Sequence, residues 1–355
     1  MAGKRSRGLS LGMDRFSGLY LWALFILIFG IWKPHLFLTQ NTLHSVASQE
    51  AIAAMLALAV LVPLAAGQFD LAVGSTINLS AIMVAWLQTT QHWGMWPAMV
   101  VSILVTTAIG AFNGFLVVRI RINSFIATLG MATVIAAIQS IVTGQSQPQP
   151  PVSSAWNELT QRTVFGFQIV FLYLIILAFV IWWALEHTPA GRYIHATGGN
   201  PEAARLAGVQ VDRWSWITLT FSGFMAGLAG VMYSSLSGPS LTFGQSLLLP
   251  AFAATFLGST QLKPGRLNVW GTMMAVYVLA TGVQGLEYVT GVQWLNNMFN
   301  GVALIAAVGF AGWRQRSAAT KRPRSEEPLA EESPPGGVAV PVVQAGGLAE
   351  PSPAG

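Results

Sequence analysis

The chain contains no cysteine, so it can carry no disulfide, iron–sulfur cluster or thiolate zinc site. Charge is scarce as well. Only 9% of its 355 residues are charged, against about 25% in soluble domains, which leaves too little polar surface to clothe a globule in water. It has no G-x-x-x-x-G-K-[ST] phosphate loop with which to use ATP by itself. No Ser–His–Asp set or paired carboxylates stand at catalytic spacing, and His35, His44, His92, His187 and His195 lack the spacing of a metal site. No catalytic residue, metal or cofactor is expected.

What is present is apolar. Hydrophobic residues make up 53% of the chain, with 36 Gly and 13 Trp, and the mean hydropathy is +0.57. A helix crosses a bilayer core in about 20 residues. Ten apolar stretches approach that length, near 18–38, 50–67, 75–92, 95–118, 123–144, 164–186, 214–236, 246–262, 267–286 and 293–313. The third and eighth have Gly and polar residues crowding their ends. The expected class is an all-α polytopic membrane protein, a bundle of about ten transmembrane helices.

Orientation follows from counting basic residues. With the N-terminus inside and the spans alternating, sixteen Lys and Arg fall on the inner side, from Lys4, Arg5 and Arg7 to Arg322 and Arg324, and only Lys33 and Arg162 fall outside. That is the positive-inside pattern, and it also explains the pI near 9.8 without nucleic acid. Both termini and residues 187–213 are expected in the cytoplasm of a cell inner or plasma membrane, with 145–162 outside. The nearest small-residue cleavage pattern, Ser45-Val46-Ala47, is too far from the first apolar run for a signal peptide. The expected organisation is a basic cytoplasmic N-terminus over 1–17, a transmembrane domain over 18–316 and a disordered cytoplasmic tail over 317–355.

Small-xxx-small spacing at Gly110/Gly114 and Gly223/Gly227, with Gly230 nearby, suits close helix packing within lipid. The stretch GQFDLAVGSTINLSA, residues 67–81, says more. Gly67 and Gly74 interrupt an apolar run around Asp70, and a carboxylate within a span costs at least ~2.5–3.5 kcal/mol. A broken helix is tolerated only where it is buried in protein or lines a cavity. Asp70 therefore either caps a helix at the cytoplasmic boundary or borders a transport path. It is the one carboxylate expected within the spans, since Glu287 falls at an outer end.

The connection HTPAGRYIHATGGNPEAARLAGVQVDRW, residues 187–214, gathers Arg192, Glu202, Arg205, Asp212 and Arg213. Asn200 is a good N-cap, Pro201 suits the first helical position and Glu202 meets the helix dipole in the first turn. Ala203, Ala204, Leu206 and Ala207 then give a short helix with a small face, stopping at Gly208. Such a helix either anchors two spans or docks in a partner's groove.

With these motifs in place, the chain resembles the permease subunits of ribose- and galactose-type ABC importers from about residue 50 to 313. The family's Gly-Gly-Ile-Asp-Leu-Ser-x-Gly-Ser signature is met by Gly67, Asp70, Leu71, Gly74 and Ser75, with departures at Gln68 and Ala72. Its Asn-Gly pair matches Asn113-Gly114, and its Phe-Ile-x-Thr-Leu-Gly matches Phe125, Ile126, Thr128, Leu129 and Gly130. Its cytoplasmic loop matches Gly191, Arg192, Ala196, Gly198, Gly199, Asn200, Ala203 and Ala204. Between Leu257 and Thr272, LGSTQLKPGRLNVWGT replaces the family's glycine-rich turn, so the cargo of the ribose members does not carry over from that motif.

The resemblance implies a type II-like ABC importer permease for a monosaccharide or polyol-like solute. It implies a translocation path bordered by the broken helix and the Asn113-Gly114 pair. Residues 197–208, including Thr197 and Arg205, would form the coupling helix. The implied partners are a cytoplasmic ATPase, an extracytoplasmic sugar-binding protein and a second permease subunit. The rival reading is a stand-alone carrier or channel.

Overall fold

The computed structural model describes residues 13–320, save Leu38, Pro264 and Gln293. The first twelve residues and the tail beyond Thr320, for which a basic cytoplasmic end and disorder are expected, lie outside the described residues. The chain divides into a bundle over 1–315 and a second unit over 316–355, of which residues 316–320 are described, as helix.

In chain order the helices are α1 (Met13–Trp32), α2 (Pro34–Phe37), α3 (Gln40–Ala65), α4 (Val73–Thr89), α5 (Met95–Val118), α6 (Ser124–Thr143) and α7 (Ser154–Gln161). A two-stranded antiparallel hairpin, β1 (Thr163–Val164) and β2 (Phe167–Gln168), leads into α8 (Ile169–His187). Then come α9 (Pro189–Gly199), α10 (Pro201–Leu206), α11 (Val211–Ser237), α12 (Phe243–Ser246), α13 (Leu248–Gly258), α14 (Val269–Thr290) and α15 (Trp294–Thr320). Local chemistry sets several ends. Asn123 Oδ1 accepts the Phe125 N–H at the start of α6, and Asn268 Oδ1 the Gly271 N–H at the start of α14. Gly144 and Gly291 close α6 and α14 with left-handed φ of 57° and 67°.

A helix occupies each of the ten apolar stretches. Six described helices are long and apolar enough to cross a membrane: Thr42–Ala65, Met95–Val118, Ser124–Thr143, Ile169–His187, Val211–Ser237 and Val269–Thr290. The stretches crowded by Gly fall short of that length. Helix α4 has 17 residues, and the eighth stretch is broken at Leu247 between α12 and α13.

The centre of the bundle is formed by α3, buried from Ala51 to Ala66 and packed on α11, α13 and α14, and by α4, buried along most of its length and packed on α5, α6 and α11. Large side chains such as Leu104, Ile141 and Val302 point outward, as expected where lipid replaces water. Helix α5 meets α11 through glycine. A Cβ on Gly110 would lie 2.6 Å from the Leu219 carbonyl, and one on Gly223 would collide with the Thr106 carbonyl. Gly114 leaves room for Trp216, whose Nε1 donates to the Ala111 carbonyl at 3.0 Å. On another side of α11, Gly230 faces Ile77 and Ser80 of α4, and Ser80 Oγ donates to the Gly227 carbonyl.

Two regions differ from the sequence reading. The segment 145–162 contains α7, and its Trp156 is fully buried among Val84, Leu87, Ala98, Met99 and Val231. Helix α3 starts ten residues before the expected 50, because Thr39 caps it by accepting the Thr42 N–H at 3.2 Å. Tyr277 of α14 then donates to the Ala47 carbonyl within the added turns. Glu50 consequently lies inside a candidate span, which corrects the expectation that Asp70 is the only carboxylate there.

The charge count and side-chain exposure together give a topology test. Ser153 and Glu202 are exposed, whereas Thr197 is fully buried and unsuitable as a reporter. In this Cys-free chain, Ser153→Cys in intact cells should react with a membrane-impermeant maleimide, and Glu202→Cys should react only after the membrane is opened. Labelling of position 202 from outside would overturn the orientation.

Candidate functional site

Residues 66–72 join α3 to α4 without helix. Pro63 contributes no N–H of its own, but its carbonyl and that of Leu64 take the N–H groups of Ala66, Gly67 and Gln68. Gly67 then turns the chain with φ 77°, a conformation that glycine adopts without a Cβ penalty. Beyond it, side chains replace the missing helical bonds. Ser124 Oγ accepts the Phe69 N–H at 3.1 Å, and Thr128 Oγ1 accepts the Leu71 N–H at 3.0 Å. Asp70 Oδ1 accepts the Ala72 N–H at 3.0 Å, and Gln68 Nε2 donates to Ser215 Oγ at 3.3 Å.

Asp70 is thus drawn into the turn that opens α4, and only 2% of it is exposed. The Ser222 side chain and the N–H groups of Ala72 and Val73 lie beside its carboxylate. Ser222 Oγ, itself buried, closes no hydrogen bond of good geometry. The backbone bond to Ala72 is the firm contact, which makes the capping role the better defined of the two open for Asp70.

Farther along α4, Gly74 faces α12. A Cβ on Gly74 would lie 2.7 Å from the Gly244 carbonyl. Asn78 bridges the same gap, donating to the Leu241 carbonyl at 2.9 Å and accepting the Gly244 N–H at 2.7 Å. Ser75 accepts from Gln245 Nε2 through its hydroxyl and from Gln139 Nε2 through its carbonyl. The two interrupted stretches, the third and the eighth, therefore pack on one another. Asn113 is buried, but its Oδ1 has no hydrogen-bond partner among the described residues; no contact ties it to Asp70.

The connection between α8 and α11 is two helices rather than the single one expected over 197–208. Thr197, Gly198 and Gly199 end α9, and α10 begins after Asn200, which is extended at φ −153°, ψ 97°. Pro201 follows without an N–H, which forces the break. As the sequence suggests, Asn200 Oδ1 caps α10 by accepting the Ala203 N–H at 3.0 Å. Arg205 pairs with Asp212 at 2.6 Å where both are more than half exposed, so this pair adds little stability. Of its small residues, Ala204 alone turns inward. Ala204 is 6% exposed, while Leu206 is 91% exposed beside exposed Glu202, Ala203, Ala207 and Gly208.

The broken helix and this connection meet. A Cβ on Gly198 would collide with the Ala65 carbonyl oxygen and lie 2.9 Å from the Gly67 nitrogen. A Cβ on Gly67 would in turn lie 3.3 Å from the Gly198 Cα. Two motifs 131 residues apart in the chain are thus in backbone contact. A cavity of about 300 Å³ beside the junction is lined by Gln68, Arg121, Thr197, Arg205, Asp212 and Ser215 among others.

Sequence reasoning missed the residues that hold the break. Ser124, Ser215 and Gln139 carried no motif, and Thr128 stood inside a matched motif without a role. The available signal was Ser124 and Thr128 at i, i+4, which share one face of α6.

The family model described as branched-chain amino acid transport system, permease component, matches residues 42–308. The fructose import permease protein of Rhizobium meliloti is 31% identical over 308 residues, covering 83% of this chain and 84% of that protein. The ribose import permease protein of Escherichia coli (strain K12) is 28% identical over 284 residues, 77% of this chain and 86% of that protein. The D-allose transport system permease protein of the same organism is 26% identical over 306 residues, 86% and 94% respectively.

The junction makes its own test. Gly198→Ala forces a methyl group into backbone and should cost about 1–3 kcal/mol, the range for overpacking. At Gly199 an added Cβ meets nothing within 4 Å, so Gly199→Ala should leave stability nearly unchanged. Thermal unfolding of the two purified variants decides. Equal melting would mean that the contact between the glycines is not tight.

Proposed function

The chain belongs to the family of branched-chain amino acid transport system permease components, and on that premise we propose that it is the membrane-spanning subunit of an ATP-driven importer for a monosaccharide or similar polyol-like solute. The relatives named for ribose, fructose and D-allose support that cargo class. The permease performs no bond chemistry and draws its energy from a separate ATPase subunit. It works with an extracytoplasmic sugar-binding protein and a second permease subunit. It crosses the inner membrane ten times, with both termini in the cytoplasm.

The observation that carries this reading is the backbone contact of Gly198 with Ala65 and Gly67. In the proposed mechanism the ATPase grips α10 by its outward face, where Leu206 is the exposed apolar anchor. Movement of α10 and α9 passes through Gly198 to the end of α3 and to the turn at Asp70. Beyond Gly67 that turn is held mainly by side-chain hydrogen bonds, from α6, from Ser215 of α11 and from Asp70 itself, so it re-forms more easily than a helix would. Asp70, Gly74 and Ser75 then transmit the shift through α4 to α12.

Two measurements test the proposal. Proteoliposomes holding the whole transporter should take up sugar with ATP and not with ADP; uptake without ATP would favour the stand-alone carrier. Leu206→Asp should abolish coupling. Its charge stays hydrated in the free permease but is buried and unpaired against an apolar groove, at a cost of several kcal/mol. Each ~1.4 kcal/mol is tenfold in affinity, so ATPase association should weaken by at least about 100-fold while the melting temperature holds. A Leu206→Asp permease that still co-purifies with its ATPase and transports normally would show α10 to be a linker. Ala204 does not serve as this probe, because its burial would confound docking with folding.

A further inference from the structure

The outer turns of α3 and the first turns of α15 enclose a cavity of about 210 Å³ that no motif indicated. Glu50, Ser246, Asn296, Asn297 and Asn300 contribute its polar groups, and alanines and branched side chains of α3, α13 and α14 make the opposite wall. Among the described residues, Glu50, Asn297 and Asn300 form no hydrogen bond or ion pair. The Oδ1 of Asn296 is buried without a donor. Glu50 lies about 12 Å along α3 from Thr42, at 1.5 Å per residue, and so within a candidate span. Four polar side chains without hydrogen-bonding protein partners converge there, Asn297 exposed at the mouth and Glu50, Asn296 and Asn300 half-buried behind it, where the buried Oδ1 of Asn296 lacks the compensation that burial demands.

We propose that this cavity is a docking site for a neutral polyhydroxylated solute, resting on the importer reading above. The chemistry of the lining selects the class. A carboxylate only accepts hydrogen bonds, whereas each carboxamide both donates and accepts. A sugar hydroxyl also does both, so one ring satisfies Glu50 and the three Asn together. The apolar wall matches the C–H face of such a ring. An amino acid does not fit, because the lining has no Lys, Arg or His to pair its carboxylate. An anionic sugar phosphate would meet Glu50. The volume lies below the roughly 300–1,000 Å³ of pockets for drug-sized ligands, yet it far exceeds the ~30 Å³ share of one water. That suits a monosaccharide and is too large for a bare cation.

The absence of cysteine provides the test. Asn297 is exposed, so Asn297→Cys in the full-length chain, in membrane vesicles of cells expressing the transporter, creates a single thiol at the mouth. D-ribose, D-fructose or D-allose at millimolar concentration should slow its reaction with maleimide by about threefold or more. Fructose 6-phosphate and leucine should not. Adding Glu50→Gln should remove the protection while leaving the unprotected rate unchanged, and Asn300→Cys supplies a second reporter should position 297 fail. Protection by leucine, by the phosphate, or by sodium replacing choline without sugar would overturn the assignment. Vesicles that import one of the sugars with ATP but show no protection would overturn the cavity and leave the importer reading intact. Vesicles that import none would overturn both.

Discussion

A chain that crosses hydrocarbon must satisfy its own backbone, because each orphaned N–H or carbonyl costs several kcal/mol there. The interruption between α3 and α4 meets that demand with borrowed groups. Ser124 and Thr128 of α6 and the carboxylate of Asp70 accept the N–H groups of Phe69, Leu71 and Ala72. Remove those acceptors and the chain must either continue as helix or leave donors unpaired. The position of α6 beside the break, and hence the packing of α4 at the centre, depends on this exchange.

Once the break is secured, close approach does the remaining work. Hydrophobic driving force is missing between helices in lipid, so backbones must come near enough for dispersion and hydrogen bonds. Glycine permits this at Gly110 with Gly223, at Gly74 with Gly244 and at Gly67 with Gly198. The first contact only binds the bundle. The second joins two interrupted helices, and the third joins an interrupted helix to the segment that would carry the ATPase. Small residues thus bind the bundle at one place and join interrupted segments at others, and the surroundings alone distinguish the uses.

Much of this was legible in the sequence. The ten apolar stretches each became helix, the glycine spacings became contacts, and Asn200-Pro201 became a capped helix start because cap chemistry is local. What escaped depended on partners distant in the chain. Residues 40–49 are too polar for a hydropathy window, yet they extend α3 because Thr39 caps them and α14 packs beside them; Glu50 thereby falls within the helix and not at its start. Helix α7 hid in a Pro- and Gln-rich segment, since its one buried anchor, Trp156, acquires meaning only against Val84 and Val231. Ala204 was expected to face outward, but a six-residue helix has too little periodicity to reveal its inner side. The convergence of Glu50 with Asn296, Asn297 and Asn300 joins residues some 246 to 250 positions apart, beyond any local signal.

The contact between Gly67 and Gly198 has a mechanical consequence. Side chains that link two moving parts act as soft springs, since rotamers change before the load is passed on. Here neither residue has a side chain, and the touching atoms belong to two main chains. Such a joint has almost no slack. A displacement of a fraction of an ångström on one side would be delivered to the other with little loss, leaving compliance to the hydrogen-bonded turn at Asp70.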